Sequence, residues 1–195
     1  MDDRIESLLE KIKDLDNQLV QEMQKKQDEY LYRIIRKKVR FQREVRKQHK
    51  LLVLRIRQYL RESDIATILT APVIWFGLLP AVFMDLFISF YQWACFPVYG
   101  IPKVQRSDYI VLDRHYLSYL NGIEKFNCAY CGYFNGLAGY VREVVARTEQ
   151  YWCPIKHARR VKAIHSRYRK FFEYGDAKGY RENIETVRRD FKDIK

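Results

Sequence analysis

The sequence predicts a mainly α protein in three parts. These are a long, coiled-coil-like N-terminal helix over 1–64, a hydrophobic helical hairpin in a membrane over 65–102, and a small helical metal-binding domain over 103–195 with a Cys3His site. Three observations predict it. Neither Pro nor Gly occurs before Ile65, so nothing in composition breaks a helix there. Residues 65–84 carry no charge, and after Asp85 a second uncharged run covers 86–102. Three cysteines and a histidine fall into two tight pairs, Cys128 with Cys131 and Cys153 with His157.

The 195 residues suffice for one modest core plus extensions. A net charge of +12 and a pI near 9.5 call for an anionic neighbour, either nucleic acid or the inner leaflet of a membrane. The 15 Tyr and 11 Phe suit a membrane-interface belt as well as a small aromatic core. Met1, Asp2 and Asp3 open an acidic, charged helix rather than a secretory leader. That favours a reducing cytosol for the four cysteines, and metal binding over disulfides.

In the first part, Ile5, Leu8, Ile12, Leu15 and Leu19 follow the 3-4 alternation of a heptad seam, which Met23, Tyr30, Ile34 and Phe41 continue with a phase shift. The seam is suited to self-association or to a protein partner. The second half is basic, with Arg33, Arg36, Lys37, Lys38, Arg40, Arg43, Arg46, Lys47 and Lys50. Few aromatics interleave this run, so its place ahead of an apolar segment reads as an anionic-lipid contact rather than a nucleic-acid grip.

Twenty uncharged residues, 65–84, are long enough to cross a bilayer core. Asp85 is costly at mid-bilayer depth, and both flanks are basic: Arg55, Arg57 and Arg61 before, Lys103, Arg106 and Arg114 after. A hairpin with its tip at 80–85 keeps both flanks, and both terminal regions, in the cytoplasm. The competing arrangement is one span over 65–84 followed by an interfacial segment bearing Phe87, Phe90, Tyr91, Trp93, Phe96 and Tyr99. Cys95 reads as a small buried hydrophobe.

In the third part, 109–112 reads as an extended run. Asp113 is placed to cap a helix that Asn121 and Gly122 end. The C-x2-C-G of Cys128, Cys131 and Gly132 reads as a turn that aims two sulfurs at one point, with Asn135 and Gly136 at its exit. Leu137, Tyr140, Val141, Val144, Val145 and Thr148 then recur at helical spacing. Cys153 is read as the N-cap of a next helix with Pro154 at its first position, so that His157, four residues on, shares its side. The four residues together make a closed structural zinc set; separate free thiols or a disulfide are the alternatives, and His115 or Cys95 could stand in for His157. Tyr180, Ile184, Val187, Phe191 and Ile194 mark a closing amphipathic helix.

The patches around Cys128 to Tyr133 and Trp152 to Pro154 resemble the two knuckles of rubredoxin-type iron or zinc sites. The second knuckle departs, with three residues before a His where that family has two before a Cys, which favours zinc over an electron-transferring iron. The block from the apolar segment to His157 is also similar to uncharacterised bacterial membrane proteins, which implies a bacterial inner membrane. No phosphate loop, H-E-x-x-H or nucleophile elbow is present, so the expectation is a non-enzymatic, zinc-stabilised membrane adaptor or scaffold. The alternatives are a rubredoxin-like electron carrier and a membrane-tethered nucleic-acid binder.

Overall fold

A computed structural model describes residues 3–35 and 38–194. Arg36 and Lys37 of the basic run lie outside the described residues, as do Met1, Asp2 and the side chains of Ile5 and Leu8 of the seam. The fold is mainly helical, as expected, with one small two-stranded sheet. Two compact units form, residues 1–61 with 113–126, and residues 62–112 with 127–195.

In the first unit the expected long helix is shorter. Helix α1 (Asp3–Glu29) ends at a reversal where Leu31 takes a left-handed φ of 53°. Strands β1 (Tyr32–Ile35) and β2 (Lys38–Phe41) follow and pair antiparallel, Tyr32 opposite Phe41 and Ile34 opposite Val39. The physical reason lies in this local stretch. Tyr32, Ile34, Val39 and Phe41 alternate with cations at period two, and β-branched Ile34, Ile35 and Val39 favour a pleated ribbon. Helices α2 (Arg43–Leu51) and α3 (Ile56–Glu62) complete this stretch. The His49 ring stands edge-on to both Phe41 and Tyr119, with centroids 5.3 Å apart in each pair.

The second unit is organised by α4 (Ile65–Phe76), α5 (Leu78–Tyr99) and α7 (Gly122–Trp152), the last beginning in the first unit. Helices α4 and α5 make up a helical stretch, Ile65–Tyr99, interrupted at Gly77. Residues 80–85, expected as the tip of a hairpin, lie inside α5. Pro80 falls in the first turn of α5, where its missing N–H breaks no required bond, and Asp85 finds its partners within the fold rather than at a turn. Gly100 (φ 67°) caps α5, and the chain then doubles back through 101–112, with α6 (Arg106–Tyr109) as a single turn.

Helix α7 also replaces an expected turn. Asn121 and Gly122, read as a helix end, open it instead. The Glu124 N–H donates to Asn121 Oδ1 at 3.0 Å and the Asn121 N–H to Glu124 Oε2 at 2.8 Å, a reciprocal cap. The core of this unit is formed by Ala81, Ile88, Phe96, Ile101, Val104, Leu137, Tyr140, Val144 and Phe191. After α7 the chain is irregular, with a 3-10 turn at Tyr168–Lys170, until α8 (Ala177–Arg189). Tyr180, Ile184 and Val187 of the expected closing helix are on α8; Phe191 and Ile194 follow it.

Candidate membrane interface and the polar seam beneath it

Helix α4 is apolar on every side and has no buried residue, which is the pattern of a helix whose solvent is not water. Helix α5 is two-faced. Ala81, Asp85, Ile88, Gln92 and Phe96, spaced four, three, four and four, are buried. Leu79, Val82, Phe83, Leu86, Phe87, Phe90 and Trp93 form the opposite stripe and are exposed. The usual rule is partly inverted here: Asp85 and Gln92 point inward beside Ala81, Ile88 and Phe96, while most of the large apolar residues of α5 point out. In the most apolar 18-residue window of the Ile65–Tyr99 stretch 17% is buried, little for a core helix.

The inward polar residues are satisfied by two neighbours, α7 and the returning segment. Arg106 donates from Nε to Asp85 Oδ1 at 2.9 Å and from Nη2 to Oδ2 at 2.6 Å. From α7, the Tyr133 hydroxyl donates to Oδ2 at 2.9 Å. Burial and the bond to Asp85 push the Tyr133 phenol above its ordinary pKa, so it stays a donor. Two turns on, the Gln92 side-chain amide reads the Val104 backbone as a strand would: it accepts from the Val104 N–H at 2.6 Å and donates to the Val104 carbonyl at 3.2 Å. The same Gln92 Nε2 donates to the Tyr140 hydroxyl at 3.2 Å. At the end of α4, the Trp75 indole N–H donates to Asn127 Oδ1 at 3.0 Å.

Three glycines of α7 let the return segment lie flat on the helix. A Cβ on Gly136 would stand 2.5 Å from the Tyr109 carbonyl oxygen, one on Gly139 3.1 Å from the Tyr109 ring, and one on Gly132 3.4 Å from the Val111 oxygen. Gly132 and Gly136 are therefore close-packing residues within a helix, not turn residues. Sequence reasoning missed this, although glycines spaced four and three apart are a legible small-residue face.

The same continuous helix separates the predicted metal ligands. Cys128 and Cys131 project from its first half, and Cys153 and His157 follow its end. At 1.5 Å per residue, Cys131 and Cys153 are about 33 Å apart along the axis. A zinc ion needs all four ligand atoms within about 2.3 Å of itself, so these four do not fit one ion in this fold. Among the described residues no group of three or more His, Cys, Asp or Glu could hold a metal. All four cysteines, Cys95 included, are free thiols.

The expected helix beginning at Cys153 is replaced by a strand-like crossing. The last α7 bond is the Cys153 N–H to the Glu149 carbonyl, and Pro154 stops propagation. Ile155 then bridges Phe172, with the Lys156 N–H donating to the Phe172 carbonyl and the Phe172 N–H to the Pro154 carbonyl, each at 2.8 Å. Partial burial, and then the nearby Glu149 carboxylate, raise the Cys153 thiol pKa. The His157 ring stacks on Tyr168, and the His157 backbone N–H donates to the Tyr168 hydroxyl at 2.9 Å.

Beneath this crossing is a buried polar cluster that sequence reasoning did not find. Arg167 Nε donates to Gln150 Oε1 at 2.6 Å, and its two terminal nitrogens donate to the Asp193 carboxylate. Gln150 in turn donates to the carbonyls of Val187 and Asp190 at the end of α8. Burial works to raise the Asp193 pKa, but hydrogen bonds from Arg167 and Lys170 outweigh it and hold the group well below the ordinary carboxylate range. The cluster is internally satisfied and ties α7 to the C-terminal segment. Comparison with protein-family models, curated proteins and solved structures returned no match.

Proposed function

We propose that the chain is a membrane-surface adaptor whose α4–α5 face is embedded in one leaflet, with both terminal regions on the cytoplasmic side. The observation that carries this is the inversion of α5. Its exposed stripe has no use in water, whereas its polar face is already paired inside the protein. A helix wholly surrounded by lipid fits α5 less well than one lying in the interface. Its return segment places exposed Lys103, Gln105, Arg106, Ser107 and Asp108 on one flank, which needs water. The cations of α2 and α3, with Lys103, add attraction to anionic lipid at about 1 kcal/mol each where they reach the surface.

The bacterial inner membrane is the setting the sequence resemblance suggests. Helix α1 keeps Ile12, Leu15, Leu19 and Met23 exposed on a heptad seam, and its occupant in this reading is α1 of a second copy. The adaptor needs no metal: the polar seam and the Arg167 cluster supply the cross-links that zinc would otherwise provide.

Flotation with vesicles tests the reading. The protein rises with vesicles containing phosphatidylglycerol and resists extraction by high salt, while the double variant Leu86→Asp, Phe90→Asp stays in the lower fraction. A wild-type chain that is soluble without detergent and never rises would sink the proposal.

A further inference from the structure

We propose that unit 62–112 with 127–195 binds one anionic phospholipid molecule, with an acyl chain in a groove between α5 and α7 and its phosphate at Arg142. The inference deepens the membrane reading and rests on it for the source of the lipid.

The groove has a volume of about 660 Å³, and Arg142 is the only charged residue among the nine that line it. Ala81 and Met84 form one wall; Leu137, Ala138, Val141 and Val145 form much of the other. From Phe134 to Val145 the α7 wall is about 17 Å long, which suits an extended hydrocarbon chain. Its backbone groups are consumed by helix, so a peptide would find no hydrogen bonds there, and a small soluble anion would find no polar contact along the groove. Pro80 and Met84 belong both to the groove and to the exposed apolar surface, which opens it towards lipid.

Ile164, whose carbonyl accepts from Arg142, lines a second concavity of about 540 Å³ together with His157, Arg159, Arg160, Lys162 and Tyr168 among others. One terminal nitrogen of Arg142 donates to the Ile164 carbonyl, which leaves the remaining guanidinium donors for an anion. The adjacent acid does not compete, because Glu143 accepts from Arg147 on one oxygen and from Ser166 on the other. Among the described residues, no carboxylate forms an ion pair with Arg142, Arg159, Arg160 or Lys162. An apolar trough with Arg142 on its wall, and with Arg159, Arg160 and Lys162 around the neighbouring concavity, is complementary to a phosphate ester carrying a long chain.

The test uses full-length protein in detergent with dioleoyl-phosphatidylglycerol and dioleoyl-phosphatidylcholine in equal amounts, and reads retained lipid by native mass spectrometry. Wild type keeps one phosphatidylglycerol in preference to phosphatidylcholine by roughly tenfold, on the order of one phosphate–guanidinium contact. Ala138→Trp fills the groove and loses both lipids; Arg142→Gln retains lipid but loses the preference. Should far-UV circular dichroism show that Ala138→Trp is unfolded, Arg142→Gln decides alone. Retention by folded Ala138→Trp at the wild-type level, an unchanged preference in Arg142→Gln, or equal displacement by glycerol phosphate overturns the proposal. Wild type that floats with vesicles yet retains no lipid overturns it too and leaves the membrane reading standing; retention without flotation does the reverse.

Discussion

Tyr133 and Arg106 meet on the same oxygen of Asp85, at 2.9 and 2.6 Å, one arriving from α7 and the other from the return segment. The acid thus joins three stretches of chain. Its own side chain is 11% exposed and that of Arg106 is 48% exposed, so water screens the ion pair and the Tyr133 bond lies deeper. Tyr133→Phe is expected to cost about 1 kcal/mol and Asp85→Ala about 1–3 kcal/mol, the latter because it strands the phenol as well. Denaturant unfolding in detergent, followed by circular dichroism, measures both; a neutral Asp85→Ala would contradict the seam.

Gly136→Ala places a methyl group 2.5 Å from the Tyr109 carbonyl and 2.8 Å from the Ile110 Cα, both backbone atoms that cannot rotate away. The return segment must shift, at a cost of roughly 1–3 kcal/mol. Gly122→Ala meets nothing within 4 Å and is expected to be neutral or to stabilise by up to about 1 kcal/mol. Thermal melts of the two variants side by side give opposite signs if the glycine face is as described.

Arg167→Ala removes a side chain that is 4% exposed and leaves Gln150 and Asp193 without their shared donor. The loss is expected to be about 3–5 kcal/mol, as for breaking a buried pair. Acid gives the same information with a sign. Asp193 has its folded pKa depressed below its ordinary 3.8, so its stabilisation is complete above that value and is lost as the pH falls towards the folded one. Hydrogen exchange in 177–194 is therefore expected to rise below about pH 4, and to respond less to acid in Arg167→Ala, where Lys170 still holds Asp193.

The thiols provide a check on the separation of the two Cys pairs. Cys128, Cys131 and Cys153 are expected to alkylate independently, at rates that chelation leaves unchanged. Cys153 is expected to react slowly at neutral pH, since its raised pKa leaves little thiolate, and to speed up as the pH rises. Joint protection of the three, lifted together by a chelator, would restore a common metal site.

The predominance of helix was legible from 1–74 and from the amphipathic runs at either end of the chain, because burial on one helical face leaves a period that composition does not hide. What the sequence concealed were features whose meaning depends on a distant partner. Gly132 and Gly136 look like turn residues until Tyr109 and Val111 are seen lying on them. Asp85 looks like a tip until Arg106, 21 residues later, and Tyr133, 48 residues later, are found beside it. The Cys128 to His157 spacing looked like a closed ligand set because thiols and imidazole have the right chemistry. Spacing alone does not exclude a rigid rod between the pairs. The ribbon at 32–41 is different: its alternation was present in the sequence and was overridden by the lack of Pro and Gly.

Asp85 is synthesised before either partner, and this sets an order of events during translation. At about 5–20 residues per second, the 48 residues that separate it from Tyr133 take about 2–10 s to make. Until Arg106 follows, 21 residues on, the nascent α5 carries an uncompensated carboxylate on the side opposite its apolar stripe, which is costly in hydrocarbon. Arg106 is made before α7 and can neutralise the acid, whereas Tyr133 covers it only after α7 has begun to emerge. In the proposed membrane-surface reading, a seam completed only when Tyr133 arrives favours docking of a finished surface onto the leaflet over threading of a growing chain through it.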